Sequence, residues 1–445
     1  MTTEAEYAAA LQALADRGRF GIRLGLGRTR ALLRELGDPQ RSIRGALVAG
    51  TNGKGSVLAL AASALRAVGL RVGETPKPHL VSYRERLQIG GRPVDASTFA
   101  RLVGEALAAA DRVPHRLGPP TEFELLTAMV FHWFAEERVD LALVEVGLGG
   151  RLDATHAWDG GVAAITNVDL DHTDRLGPTI GHIAREKAAI IERGDIAVTG
   201  ATGEALAIVR RRAARLNVPL AVVEPPPITG MSLDGIEVEL PRLGRTHVGL
   251  RGRHQAANVA VADALLDALE AAGIADVPVA ARRDGYETAR WPGRLELLSI
   301  EGRDVLLDGA HNPAGAAALA TALDDLRPFL TPGRPTLLTA SMADKDVDGV
   351  VGALALSGAL REARIVTTHL DMPRALAAQA LAERWRALAP GSSVEVVAEP
   401  AAALESALRG ADGPVVVAGS LYLVGLVRGL LVDDPLLRDP PLSAR

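Results

Sequence analysis

The run GALVAGTNGKGSVLALAASAL, from Gly45 to Leu65, limits the possible folds more than any other part of the chain. A short valine-rich stretch feeds a cluster of glycines, which feeds a long run of alanine and leucine. That is strand, glycine loop and helix in order, the opening of a parallel α/β sheet. The glycines let backbone N–H groups turn toward an anion, and the helix behind them presents its positive N-terminus. Lys54 would then meet phosphate oxygens and Ser56 a magnesium ion. The common phosphate loop has a glycine five residues before its Gly-Lys pair and Ser or Thr directly after the lysine. Val48 and Gly55 occupy those places here. A glycine turn that only joined strand to helix would need no lysine at its tip, which favours phosphate binding.

Other short apolar runs extend the pattern. LALVEV and GVAAITNV are bounded by glycine or aspartate, as expected for parallel strands covered on both faces. Helical periodicity opens the chain over Glu4 to Asp16 and Arg28 to Leu36. Beyond Trp291-Pro292-Gly293 the rhythm tightens: DVLLDGA, PTLLTAS, ARIVTTH, SVEVVAE and PVVVAGS each lead into a helix. This predicts a second parallel sheet, with a division near Glu296 into residues 1–296 and 297–445. The tail from Asp433 to Arg445 is proline-rich and is expected to fray.

With 48% hydrophobic and 23% charged residues over 445 positions, the composition is that of a soluble globular protein. A net charge of -5 gives no electrostatic support to a nucleic-acid partner. The N-terminus lacks a basic region followed by an apolar run, so the expected location is the cytoplasm. Arg66 interrupts SVLALAASALRAVGL before it reaches membrane-spanning length. There is no cysteine, which excludes disulfides, thiolate zinc sites and a cysteine nucleophile. Any metal must therefore sit on oxygen or imidazole.

Four more segments carry candidate chemistry. In LALVEVGLGGRLDAT, Glu145 ends an apolar strand and Asp153 follows the glycines; a buried carboxylate there needs a metal or a partner such as Arg151. NVDLDHTDRLG gathers Asp169, Asp171, His172 and Asp174, a donor set that suits Mg or Mn but is also that of a solvated turn. Thr121 and Glu124 have capping-box spacing, which explains both as a helix start, with Phe123 as core. In LLDGAHNPAGAAAL, Asn312 and Pro313 fit the first positions of a helix, and Asp308 falls at the carboxyl end of a strand, where open parallel sheets bind ligands. These residues imply a magnesium-dependent enzyme that hydrolyses or transfers part of a nucleotide, and they leave its substrate open.

Together, VAGTNGKGS, PHLVSYRERLQI, TEFELLT, EVGLGGRLDAT, DHTDRLGPTIGHIAREKAAI, RHQAANVAVA, WPGRLE, LDGAHNP, DKD and GSLYLVG resemble the folylpolyglutamate synthase and dihydrofolate synthase family, the folate branch of the Mur ligases. The likeness runs from about Leu24 to Tyr422. It implies a Mur ligase-like fold: a P-loop ATPase domain with a mainly parallel sheet and a smaller, C-terminal Rossmann-like α/β domain. It also implies ATP-dependent joining of L-glutamate to dihydropteroate and to tetrahydrofolate species through an acyl phosphate. By resemblance, Gly50, Thr51, Asn52, Gly53, Lys54, Gly55 and Ser56 hold the triphosphate, with Asn258, Arg294, Asp308 and His311 as further ATP contacts. Two Mg²⁺ sites are implied, one on Ser56 and Glu145 and one on His172. Lys187 matches a lysine that the family carries as a carbamate, and Lys54, Lys187 and His172 are the implied catalytic residues. The pterin side would use Gly25, Leu26, Arg28, Thr121, Phe123, Asp153 and Ala154. The resemblance further implies two domains that close for the reaction and a monomer that suffices for it.

Two positions depart from the family pattern. Lys77 stands directly before PHL, where a serine that helps bind magnesium is usual, and His156 stands where asparagine is common. An ammonium cannot ligate magnesium, so Lys77 is expected near the γ-phosphate. Alternatives are a folylpolyglutamate synthase alone, an amide ligase acting on a peptidoglycan precursor or another amino-acid polymer, and a nucleotide-dependent regulatory protein without ligase chemistry.

Overall fold

The computed structural model describes residues 4–440 apart from Arg19, Phe20 and Ile22. Contacts divide the chain into two compact units. The first comprises residues up to Pro225, Ala257–Thr288 and the stretch from Leu436; the second comprises Pro226–Ala256 and Ala289–Pro435.

The first unit is built on eight strands: β1 (Gly45–Ala49), β2 (Val72–Thr75), β3 (Gln88–Ile89), β4 (Arg92–Pro93), β5 (Leu141–Glu145), β6 (Gly161–Ile165), β7 (Ile196–Thr199) and β8 (Leu220–Val222). Their order is β4-β3-β2-β5-β1-β6-β7-β8. From β2 to β8 along that order all neighbours are parallel, and β3 and β4 add an antiparallel edge. Every residue of β1 and β5 is buried, which is why both read as unbroken apolar runs. Register pairs Val48 with Glu145 and Ala49 with Ile165, so the glycine loop, Glu145 and the segment after β6 leave the sheet at one end.

The helix after the loop, Lys54–Ala67, is buried from Ser56 to Leu65. Its alanines admit a close neighbour: a Cβ on Gly285, in the helix Val279–Thr288, would run into the backbone of Ala64. Covered on several sides, the helix can be apolar all round without crossing a membrane. Among the described residues no helix is long and apolar enough to span one.

The tail does not fray as expected through residue 439. Asp439 accepts hydrogen bonds from the Tyr7 hydroxyl (2.5 Å) and the Ser82 hydroxyl (2.7 Å), and Leu437 is buried. Burial and the adjacent Asp439 carboxylate raise the Tyr7 pKa above its ordinary value. Residues 441–445, the rest of that expectation, lie outside the described residues.

The second unit holds two sheets. β9 (Ile228–Ser232), β10 (Gly235–Leu240) and β11 (Gly244–Val248) form an antiparallel meander. β12 (Glu296–Ile300), β13 (Arg303–Leu307), β14 (Thr336–Thr339), β15 (Arg364–Thr367), β16 (Ser393–Val396) and β17 (Val415–Ala418) pair in the order β12-β13-β17-β14-β15-β16. The five strands read from the sequence are parallel, but β12 is antiparallel and makes the sheet mixed. Only Glu301 and Gly302, both at positive φ, separate β12 from β13. A two-residue turn makes a hairpin and cannot make a parallel crossover. The core centres on Leu306, Leu337, Ile365, Trp385 and Val416, with Met231 and Leu233 of the meander segment packed against it.

Candidate active site

The glycine loop is stitched to the segment that follows β6. Thr51 N–H donates to Asn167 O (3.0 Å), Asn52 N–H to Asn167 Oδ1 (2.9 Å), and the Thr166 hydroxyl to Asn52 O (2.6 Å). The Thr51 hydroxyl donates to Asp169 O (3.1 Å) and accepts from Asp169 N–H (2.9 Å). Two glycines are required by this packing. Gly50 lies at φ +151° with Thr166 where a Cβ would be, and Gly53 lies at φ +82° with the Asn258 side chain in that place. Asn258 therefore stands against the loop.

Two ammonium groups converge on one carbonyl. Lys54 Nζ donates to Gly50 O (3.2 Å) and Thr51 O (3.1 Å), while Lys187 Nζ reaches Gly50 O at 2.7 Å. Lys187 is only 5% exposed. Burial first, and then the charge of Lys54, lowers its pKa to about 7, against opposition from Asp171 and Asp153. Ser56 is buried in the first turn of the helix, one residue beyond Gly55.

Glu145, 4% exposed, has Oε1 at 3.9 Å from Lys54 Nζ and Oε2 accepting from Lys77 N–H (2.9 Å). Lys77 Nζ turns back to donate to Glu145 O (2.5 Å) and lies 5.5 Å from the centroid of the Phe123 ring. Burial lowers the Lys77 pKa to about 8, with Asp153 and Glu145 opposing. Arg151 does not neutralise Glu145 or Asp153; it pairs with Glu186 at 2.8 Å. Asp153 instead accepts from Leu148 N–H (2.8 Å), Thr155 N–H (3.0 Å) and the Thr155 hydroxyl (2.6 Å), and Ala154 is buried beside it.

The remaining pterin-side candidates also have structural employment. Gly25 N–H donates to Leu152 O (3.1 Å), next to Asp153, and Leu26 precedes the helix Gly27–Glu35. Arg28 Nε meets both Glu124 oxygens at 2.9 Å, and Thr121 and Glu124 form the expected reciprocal capping box. The Phe123 ring packs over the backbone of Gly147. His156 is buried, with Nδ1 3.3 Å from Arg151 O and Nε2 3.4 Å from Glu192 Oε1.

The acidic cluster after β6 separates by task. Asp169 belongs to the loop stitching, and Asp174 pairs with Arg175. His172, at φ +50°, starts the short helix Thr173–Leu176 with Nε2 3.9 Å from Asp171 Oδ2. Among the described residues no three His, Asp or Glu side chains gather as a metal cage.

In the second unit, Asp308 follows β13 and both its oxygens are engaged: Oδ2 accepts from Leu295 N–H and Oδ1 from Ala310 N–H, each at 2.9 Å. Arg294 donates to Gly293 O (3.0 Å), and His311 Nδ1 lies 2.8 Å from Gly309 O. Asn312 caps the helix Pro313–Leu326 by accepting from Gly315 N–H (2.8 Å). Two histidines escaped the sequence reading as site candidates. His254 is half-buried near Asp308 and Arg294, and its loss of solvent lowers its pKa. His79, in PHL, accepts from Arg86 Nε (2.8 Å) against the Tyr83 ring, and burial holds it neutral well below the usual range. Their only signal was a histidine inside each of two family-like segments.

Residues 293–421 match the Mur ligase, glutamate ligase domain family. The dihydrofolate synthase/folylpolyglutamate synthase of Bacillus subtilis is 33% identical over 423 residues, covering 92% of this chain and 95% of that protein. The chain belongs to the folylpolyglutamate synthase/dihydrofolate synthase family, whose members are ATP-dependent ligases. A Haloferax volcanii protein named "Probable bifunctional folylpolyglutamate synthase/dihydropteroate synthase" is 36% identical over 441 residues; the match takes in 95% of this chain and half the length of that relative. Mycobacterium tuberculosis folylpolyglutamate synthase, solved with ADP and AMPPCP, superimposes with a TM-score of 0.85 at 31% identity, covering 97% of this chain and all of that one. The match to an enzyme solved with ADP and an ATP analogue supports ATP as the nucleotide of this family member.

Proposed function

We propose that the protein joins L-glutamate to dihydropteroate and to tetrahydrofolate species, using ATP to form an acyl phosphate. The observation that carries this reading is the convergence of Lys54 and Lys187 on Gly50 O with buried Glu145 beside them. A carboxylate is a poor electrophile; phosphorylation gives it a leaving group, which the amino group of glutamate then displaces. The protein's part is to position the reactants and to neutralise charge on the moving phosphoryl group.

Gly50 to Ser56 hold the triphosphate in this reading, with Asn258, Arg294, Asp308 and His311 as further ATP contacts. Ser56 and Glu145 would hold one Mg²⁺ and His172 a second. Magnesium is usually bound by one or two carboxylates with substrate phosphates and water completing the shell, so a donor set without an all-protein cage fits it. When bound, the metal would withdraw charge from the phosphate oxygens. Lys187, with its pKa lowered to about 7, holds a substantial neutral fraction at physiological pH. Its nitrogen lone pair can add to CO₂ with loss of a proton, giving the carbamate that the family resemblance implies. Gly25, Leu26, Arg28, Thr121, Phe123, Asp153 and Ala154 form the pterin side. The segment from Leu297 onward is the proposed glutamate-ligating domain, and the protein works as a cytoplasmic monomer.

The test is ADP formation with MgATP and glutamate, comparing dihydropteroate, tetrahydrofolate and no acceptor, with product masses read in parallel. Glutamate addition to both acceptors is expected. Addition to tetrahydrofolate alone would mark a folylpolyglutamate synthase and reduce the pterin-side assignments for dihydropteroate to packing. Addition to neither would overturn the reading.

A further inference from the structure

Only four of the 49 Lys and Arg residues are lysines: Lys54, Lys77, Lys187 and Lys345. Surface cations such as Arg71, Arg101, Arg112 and Arg245 are all arginine and pair with glutamates. Lysine is a compact point charge with three rotatable donors, and arginine does not replace it where a single oxygen or phosphate must be met head-on. Lys54 and Lys187 meet the loop carbonyl in that way. Lys77 has a comparable setting: one N–H goes to Glu145 O at 2.5 Å, and the ammonium faces the Phe123 ring at 5.5 Å. Among the described residues the other two N–H groups meet no acceptor, which leaves them for a ligand.

We propose that Lys77 is a catalytic residue of the ligase reaction, its ammonium holding the acceptor's carboxylate as that group becomes the acyl phosphate. This rests on the ligase reading above. Phe123 and Asp153 belong to the acceptor's ring end, and Lys54 and Glu145 to the phosphate end. The reacting carboxylate has to lie between the two. Lys77 is the cation that touches both, through the Phe123 ring and through Glu145, whose Oε1 is 3.9 Å from Lys54 Nζ. In the step it assists, an acceptor carboxylate oxygen forms a bond to the γ-phosphorus, the bond from that phosphorus to the bridging oxygen breaks, and its electron pair leaves with ADP. Two anions must approach each other for this to happen, and an ammonium that holds the incoming carboxylate lowers their repulsion most in the transition state.

Lys77→Met and Lys77→Arg are compared with wild type by three measurements: ADP formation with dihydropteroate and glutamate, calorimetric binding of AMPPCP, and thermal melting. In both variants kcat is expected to fall roughly 10²-fold, the scale of losing one preorganised electrostatic contact, while AMPPCP affinity and melting temperature stay at wild-type values. A Lys77→Arg enzyme as fast as wild type would overturn the proposal and leave the ligase reading intact. A fall in rate accompanied by matching losses in AMPPCP binding and melting temperature would assign Lys77 to holding the Glu145 turn, and would overturn it too. A wild-type protein that forms no ADP with either folate acceptor would remove the ligase reading itself.

Discussion

The two sheets present acidic residues at their carboxyl ends in opposite ways. In the second unit, Asp308 has one backbone N–H on each carboxylate oxygen, and Asn312 spends its side chain on a helix end. In the first, Glu145 shares a crowded space with Lys54 and Lys77, while Lys54 and Lys187 lean on one carbonyl. Neighbouring cations repel, and an arrangement of this kind becomes favourable when a polyanion enters it. The second arrangement is held by the chain's own backbone N–H groups, so a nucleotide contact made there also carries part of the local fold. Substitutions at the first sheet should therefore register mainly in rate, and those at the second in stability as well.

The strongest trial of that contrast is Lys54→Met, which should lower kcat for ADP formation roughly 10³-fold with little change in melting temperature. Lys187→Ala should lose roughly 10²-fold and recover part of that on adding short carboxylates, which would stand in for a carbamate; full activity of this variant would sink its assigned role. Asp308→Asn should add a loss of stability to any loss of rate. The amide has one acceptor oxygen, so one backbone N–H loses its partner and stability should fall by about 1–3 kcal/mol in urea unfolding. Asn312→Ala should cost about 1 kcal/mol by loss of its cap.

A pH series sharpens the comparison with a smaller signal. The Lys187 pKa is about 7 in the folded protein against an ordinary value of 10.5. Below about pH 7 both states carry the proton and the fold bears the full cost of burying it. Between about 7 and 10.5 the unfolded chain binds the proton and the folded chain does not, so stability rises with pH. Lys77, lowered to about 8, adds to the same slope above that pH. Tyr7 opposes it above about pH 10, because the folded state keeps a phenol proton that the unfolded chain loses. In CO₂-free buffer, Lys187→Met should flatten the rise between pH 7 and 10; an unchanged slope would mean that Lys187 is not the buried cation responsible.

Much of this frame was legible in the chain. β1, β5, β6, β14 and β17 are short runs buried along almost their whole length, and burial on both faces leaves that signature; β16 is mostly exposed and was readable only from the strand–helix rhythm around it. The capping box at Thr121 is local and was equally readable. The meander β9–β11 went unread although its strands pair with one another across short turns; the Asp234-Gly235 turn and the alternation in GIEVEL were the available local signal. β12 was lost as well: two turn residues make a hairpin, but a rhythm of strands and helices suggested only parallel pairing. Lys187 stood out only through the family resemblance, although Ile180, Ile183 and Lys187 share helical spacing and the buried face of their helix includes Ile183, Ala184 and Lys187. A lysine on an apolar stripe was the available signal. His254 was missed because the Asp308 and Arg294 charges beside it lie far along the chain, whereas the Tyr83 and Arg86 partners of His79 are local to PHLVSYRER.

The return of Asp439 to Tyr7 and Ser82, with the meander placed early, means that the chain is interleaved rather than modular. A fragment ending at Glu296 would contain β9–β11 without the sheet core they cover and would lack the Asp439 anchor. The complementary fragment would begin inside β12 and lack Met231 and Leu233. Each half would leave part of its unit's core uncovered. Swapping glutamate-ligating domains between relatives by cutting at a single point would exchange incomplete cores, so a viable chimera has to transfer residues 226–256 together with residues 289–435.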